Sequence, residues 1–535
     1  MKLTDYILTM SCLAISLTVC SEKTPEIKEL TDISSTAGTI KNAGFEDDKA
    51  AVQNPAGWTV TGDKSAVKVV NGGCAGLYAL HYGQETAYNV NTQQTVTELE
   101  DGIYNLGFYS KNSGGQNICY VSVGSTPETV KMTSLQVASN VWTYSIVRGI
   151  EIKGGKCTIS LYCDANAGNW CEFDELTLQK TDKKYTFLKG GDVSELSYIE
   201  QKGGKFYDNG KEKECFEILK DKGFNIVRLR LYNDPGNPDY TPSNRLPAGI
   251  QNPEDILRLA KRAKQAGMQI QLTFHYSDYW TNGGTQNKPH EWENLNYEDL
   301  KKAVYNFTLD FMNRMKAQGT TPEFVSLGNE SQGGILFPEG ATSNFAHLAE
   351  LYNCGYDAVK SVSTDSKVII HLDDAGNQDK YNWYFGELNK NGGKYDMIGA
   401  SYYPFWTQKT ATEMQEWANK IAAQFDKDIF IMETGYNWNP VLPNGYPGQL
   451  ANNGPYKEIY PSSPQGQKDF LLELFSEIKK ANDGKVVGCL YWDPVMIAVP
   501  EVGWELGANN VVSNTTLFDF NGNALKSLDA FKYNN

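Results

Sequence analysis

Histidine is scarce in this 535-residue chain: there are five, and none stands in an H-E-x-x-H arrangement. That excludes the common helix-borne zinc hydrolase site. No G-x-S-x-G turn occurs either, which removes the serine-hydrolase elbow. Basic charge is in deficit, with 49 Lys and Arg against 64 Asp and Glu and a formal net charge of −15. No basic patch offsets it, so nucleic acid and other polyanions are excluded as partners. Cysteine is sparse and shows no pair of C-x-x-C motifs, which argues against structural zinc. Five of the thiols beyond residue 20 (Cys74, Cys119, Cys157, Cys163 and Cys171) precede residue 180. Cys157, Cys163 and Cys171 lie close together, and an odd count leaves at least one unpaired, so connectivity stays open.

Long apolar runs are missing except at the start, where residues 6–19 are mostly apolar behind Lys2 and too short to span a bilayer. Leu17-Thr18-Val19-Cys20 has the layout of a lipobox, with Leu three residues before the Cys that would be lipidated. Cys12 has too little apolar sequence before it. Residues 1–20 are thus expected to be a lipoprotein signal peptide and 21–35, with Pro25, a polar tether. The expected location is exported: an outer-membrane lipoprotein at the cell surface or in the periplasm of a bacterium, touching the membrane only through a lipid anchor at Cys20.

What the chain does have is 40% apolar and 12% aromatic residues, ample for packed cores, and a length that suits two domains. From 36 to 180 short alternating segments (66–70, 102–109, 118–123, 142–146, 157–162) are separated by Gly and Asn turns. No helical period appears, which predicts an all-β jelly-roll sandwich. Asn42-Ala43-Gly44-Phe45-Glu46, Gly57-Trp58 and Phe173-Asp174-Glu175-Leu176-Thr177-Leu178 bracket it and resemble the ends of carbohydrate-binding modules. Tyr82, Tyr88, Trp142 and Trp170 are its candidate binding aromatics.

After a polar link at 181–184 the rhythm changes to strand, helix, strand, helix over 185–535. Eight strands are predicted at 185–188, 224–232, 269–276, 323–330, 367–373, 397–403, 428–434 and 486–492. Amphipathic stretches at 253–266, 300–316 and 467–480 fill three of the intervals, the first with Asn252 as N-cap and Pro253 in its first turn. Eight such units make the domain α/β, a (β/α)8 TIM barrel with long loops.

The strand ends carry the chemistry. Phe324-Val325-Ser326-Leu327-Gly328-Asn329-Glu330 and Ile429-Phe430-Ile431-Met432-Glu433-Thr434-Gly435 share one design, an apolar strand ending in Glu before a Gly-containing loop. In such a barrel the strand carboxyl ends build the active site, and two carboxylates there are the minimum for glycoside hydrolysis. Asp192, Arg228, Arg230, His275, Asp278, Asp373, Asp374, Tyr402, Trp406, Trp492 and Asp493 fall at the other strand ends. Their convergence describes a polar, aromatic-lined groove.

At these residues the chain resembles the endo-β-1,4-galactanases of glycoside hydrolase family 53, over about 188–532. The matching motifs are Gly190-Gly191-Asp192-Val193-Ser194, Val227-Arg228-Leu229-Arg230-Leu231-Tyr232-Asn233-Asp234-Pro235 and Phe274-His275-Tyr276-Ser277-Asp278-Tyr279-Trp280. Gly328-Asn329-Glu330, Ser401-Tyr402-Tyr403-Pro404, Met432-Glu433-Thr434 and Tyr491-Trp492-Asp493-Pro494 continue the series.

The resemblance implies Glu330 as acid/base and Glu433 as nucleophile of a retaining hydrolase acting on neutral β-1,4-galactan, the galactan or type I arabinogalactan side chains of pectin. It implies substrate contacts from Asp192, Arg228, Arg230, His275, Asp278, Asn329, Tyr402, Trp406 and Trp492. Of the two arginines, Arg230 is nearer the strand end and is expected to hold Glu433 charged. A mannanase or xylanase of the same barrel clan, or a non-catalytic glycan-capture lipoprotein, are the alternatives. No cofactor is expected. Bacterial members often bind calcium after the nucleophile strand, but here that loop, 437–446, contains no acid.

Overall fold

A computed structural model describes residues 39–137, 140–239 and 245–535. The expected signal peptide, tether and Cys20 lie outside the described residues. No helix among the described residues is long and apolar enough to cross a membrane.

The first unit is the expected sandwich. One sheet runs Thr59–Gly62, Tyr88–Val96, Cys157–Ala165, Ile118–Gly124, Lys131–Ser134 in spatial order, and the facing one Val67–Asn71, Tyr78–Gly83, Trp170–Thr181, Gly102–Asn112, Thr143–Ile152. All pairings are antiparallel. The alternation that builds it is plain in Tyr88–Val96, where Tyr88, Val90, Thr92, Gln94 and Val96 are buried. That strand was not among the predicted segments, because its inward set includes Thr and Gln and its polar residues hide the period.

The second unit is a closed barrel of eight parallel strands: Leu188–Asp192, Ile226–Leu231, Gln269–Phe274, Phe324–Leu327, Lys367–Leu372, Met397–Ser401, Asp428–Thr434 and Val486–Tyr491. Pro253–Gln265, Tyr297–Ala317 and Pro464–Lys480 form helices where expected, and the Asn252 side chain accepts from Asp255 N as the N-cap. Leu188, Ile226, Ile369, Met397, Phe430, Met432 and Leu490 pack the barrel floor. The first strand departs from the prediction: it runs through the Gly-Gly pair rather than ending before it. A Cβ on Gly190 would lie 1.7 Å from Ile226 O, so glycine here permits close strand approach rather than a turn.

The two units share a polar seam. Arg148 donates through Nε to Lys479 O (2.6 Å) and through Nη2 to Ala481 O (3.0 Å). Lys479 is itself buried and donates to Asn534 Oδ1 at 2.6 Å, and Tyr120 stacks on Tyr533 with centroids 5.5 Å apart. Lys479 and Ala481 precede the eighth strand, so this seam lies where barrel strands begin, away from their carboxyl ends.

Candidate active site

Glu330 stands three residues past the fourth strand and Glu433 within the seventh, near its end. An oxygen of each, together with a ring nitrogen of His371, lies within a 4.8 Å group. Glu330 has a φ of +42°, a left-handed conformation that a non-glycine residue holds only under constraint from its surroundings. The constraint is visible in its neighbours: Gly328 N donates to Phe274 O, and Ser331 N to His371 O. Both carboxylates open on a cleft of about 330 Å³ walled by Trp280, Trp406, Trp492 and Trp504.

Their surroundings differ. Glu433 receives Arg228 Nη1 on Oε1 at 2.5 Å and the Tyr403 hydroxyl on Oε2 at 2.9 Å. Those two donors fix both carboxylate oxygens in place. Glu330 receives the Ser401 hydroxyl at 2.7 Å, and His371 Nε2 lies 2.9 Å from the same Ser401 oxygen. Burial, reinforced by the charge of Glu433, pushes the Glu330 carboxyl up to about 8. It is the group that stays protonated at neutral pH. Burial and the neighbouring Arg228 drive His371 down, so its ring is neutral.

The structure reassigns the two arginines. Arg228, not Arg230, holds Glu433, and Arg228 Nη2 also donates to Asn329 Oδ1 at 2.6 Å. Both side chains point inward, as period two requires, but the long guanidinium stem of Arg228 lifts its head to the layer of Glu433. Arg230 sits one layer higher and turns aside to Asp192 (3.2 Å), Glu195 (3.4 Å) and Asp493 (3.5 Å). Arg228 shares Asp192 but is committed to Glu433, so the cluster of three buried acids is not fully neutralised, and burial pushes Glu195 up to about 7. The face of Arg230 lies 4.7 Å from the Trp280 ring and 5.9 Å from that of Trp492. It braces the aromatic wall from behind.

Of the residues expected to touch substrate, Asn329, Trp406 and Trp492 line the cleft; Trp406 is 48% exposed. The others lie behind it. Asp192 serves the arginines, and its Oδ1 accepts from Ser194 N at 2.9 Å. His275 is buried with Nδ1 2.7 Å from Thr281 Oγ1, and Asp278 clamps two loops by accepting from Asp234 N and His290 N. Tyr402 faces outward: its hydroxyl donates to Lys409 O and its ring packs on Phe470. Tyr403 takes the place foreseen for Tyr402. The alternation Ser401 in, Tyr402 out, Tyr403 in was available from the sequence once Ser401 was placed inside. Sequence reasoning also missed His371, which sits inside an apolar strand two residues before Asp373.

The loop after Glu433 does not fit a hard cation. Asn439 Oδ1 accepts from Val441 N and Asn444 Oδ1 from Tyr446 N, while Asn437 Nδ2 donates to Leu450 O. Asp493 faces Arg230 and Glu501 pairs with Lys202 at 2.7 Å, so neither acid turns to the loop. Calcium asks for several oxygen ligands, usually carboxylates among them.

The Bacillus subtilis endo-β-1,4-galactanase is 30% identical over 378 residues, spanning 65% of this chain and 86% of the relative. The arabinogalactan endo-β-1,4-galactanase of Thermothelomyces thermophilus is 31% identical over 346 residues, spanning 62% and 96%. Among solved structures, a family 53 glycoside hydrolase catalytic domain from Ignisphaera aggregans superposes with a TM-score of 0.61 at 34% identity, covering 65% of this chain and 96% of that one. The model of glycosyl hydrolase family 53 matches residues 188–531, the whole barrel with its paired carboxylates, and the chain belongs to that family.

Proposed function

We propose that this chain cleaves β-1,4-galactosidic bonds inside galactan and arabinogalactan by a retaining double displacement. The observation that carries the reading is the pair Glu330 and Glu433, with oxygens within 4.8 Å and opposite surroundings. Retention calls for carboxyl groups about 5–5.5 Å apart, since no water need fit between nucleophile and sugar. Glu330 protonates the departing glycosidic oxygen while Glu433 attacks the anomeric carbon. Glu330, now ionised, then takes a proton from the water that releases the glycosyl enzyme. Arg228 and Tyr403 keep Glu433 aimed between turnovers. Asn329, fixed by Arg228 and by donation to Thr281 O at 2.9 Å, keeps a second amide hydrogen for a sugar hydroxyl. Digestion of galactan, mannan and xylan, with products resolved by size, tests the substrate. Mixed oligomers from galactan alone are expected, and chain cleavage of mannan or xylan instead would overturn the reading.

The finer reading is an exported lipoprotein, anchored at Cys20, that trims pectin side chains. Its sandwich holds the same glycan. Tyr82 and Tyr88 are core residues whose hydroxyls donate to Leu161 O and Asn169 O, so they are withdrawn as platforms. Trp142 and Trp170 remain half-buried on one sheet face. Lys111 lies over Trp142 at 4.6 Å, and Glu172 bridges Lys111 and His81, each at 2.9 Å. Aromatic faces beside fixed polar groups suit a neutral sugar. Retardation of the full chain in galactan gels, lost on Trp142→Ala and Trp170→Ala, is expected. Palmitate labelling abolished by Cys20→Ser tests the anchor.

A further inference from the structure

Three thiols meet inside the sandwich. Cys119 and Cys163 are direct cross-strand partners in one sheet, and Cys171 comes from the facing sheet. The three sulfur atoms lie within 4.8 Å of one another, with Cys119 Sγ and Cys171 Sγ 3.7 Å apart. Cys163 and Cys171 are fully buried, while Cys119 is only partly so and lines a cavity of about 40 Å³ at the seam with the barrel. Hydrogen bonds from both neighbours lower the Cys163 thiol, whereas burial pushes Cys119 and Cys171 up.

Two occupants suit three converging thiols: a soft metal ion, or a disulfide with a spare thiol. Charge decides between them. Three thiolates on a monovalent ion leave two negative charges, and the groups around them are the buried Tyr82 and Tyr88. The charged side chain acting on Cys163 is Asp164, which repels a thiolate. Uncompensated charge in an apolar core is costly, whereas a disulfide is neutral.

We propose that Cys119, Cys163 and Cys171 form a thiol–disulfide exchange site in which Cys171 is cross-linked across the sandwich to either of the other two. In formation, Cys119, the partly exposed thiol, gives up its proton and attacks a small disulfide oxidant, expelling one thiolate. Cys171, as thiolate, attacks the mixed disulfide and expels the second, so two thiols are oxidised and one oxidant disulfide is reduced. The two protons leave with the expelled thiolates. Cys163 can then attack Cys171 of the bond, releasing the Cys119 thiolate with no net redox change.

The test uses the full chain, incubated with oxidised glutathione, denatured and alkylated before and after reduction. Two fewer alkylated thiols before reduction are expected, with peptide mapping joining Cys171 to Cys119 or Cys163. Cys163→Ser is expected to hold the bond wholly at Cys119–Cys171, and Cys119→Ser or Cys171→Ser to abolish the inter-sheet link. Reduction of the oxidised chain is expected to lower a melting step by about 5 °C without changing hydrolytic rate, since a cross-link acts on the unfolded chain. Equal alkylation before and after reduction overturns the proposal. So does a bond lacking Cys171, or stoichiometric copper or zinc retained by the three thiols.

Discussion

The ends of the fourth and seventh barrel strands follow one pattern in sequence and are opposites in chemistry. Each is an apolar run closing on Glu, yet Glu433 stands against Arg228 and Tyr403, and Glu330 against Ser401 and a neutral His371. The difference comes from other strands: Arg228 arrives from the second, His371 from the fifth, Ser401 and Tyr403 from the sixth and the loop after it. A carboxylate's role in this site is therefore set by what the barrel's closure brings beside it, and the local sequence around each Glu is nearly silent about it.

Removing the carboxylates one at a time breaks the comparison most severely. Glu433→Ala is expected to cost roughly 10⁴-fold or more in kcat on galactan, with azide restoring part as a glycosyl azide of inverted configuration. Glu330→Ala is expected to cost as much on galactan but far less in the first step on an aryl galactoside, whose leaving group needs no proton. Equal losses on both substrates would erase the distinction between the two sites. Exchange of the arginines comes next. Arg228→Lys is expected to lower kcat/KM by about 10²–10³-fold, because a buried carboxylate loses a fixed partner. Arg230→Lys is expected to act mainly on melting temperature and KM, through the tryptophans it braces. A reversed order of rate losses would return the nucleophile's partner to Arg230.

The tyrosines sharpen it further. Tyr403→Phe is expected to lower kcat by about 10-fold through one lost charge-assisted hydrogen bond. Tyr402→Phe is expected to leave kcat unchanged and cost stability by about 1 kcal/mol. Titration follows with the sign fixed by the raised Glu330 pKa. kcat/KM is expected to fall above about pH 8, as the general acid ionises. Folded protein binds the proton that unfolded chain releases near the ordinary carboxylate value, so Glu330 erodes stability as pH rises from there towards 8. Glu330→Gln is thus expected to melt higher than the parent at pH 8 and nearly level with it at pH 4. A constant gap across that range would show that folding does not raise the Glu330 carboxyl. The smallest effect is expected from chelation: EDTA should move the melting temperature by less than about 1 °C, because the loop after Glu433 lacks acids.

Much was legible beforehand because two periods are loud in this chain. The eight barrel strands are rich in apolar residues and alternate with amphipathic helices, so their order and number could be read, as could the carboxylates at two of their ends. The sandwich strands were read less completely, since Asn, Gln and Thr in strands such as Tyr88–Val96 blur alternation. Gly190 and Gly191 looked like a strand's end and are its middle, because glycine's meaning depends on how near the next strand comes.

The amino-acid sequence by itself determined the architecture, the family and the pair of glutamates, all consequences of pattern along one strand at a time. Tertiary structure alone decided which glutamate stands beside a neutral histidine and which is clasped by an arginine, and that Arg228 rather than Arg230 does the clasping. It also decided that Tyr403 rather than Tyr402 faces the cleft. Those outcomes depend on side-chain reach between strands up to 205 residues apart, and a Coulomb interaction over a few ångströms in a buried site outweighs anything nearby in sequence.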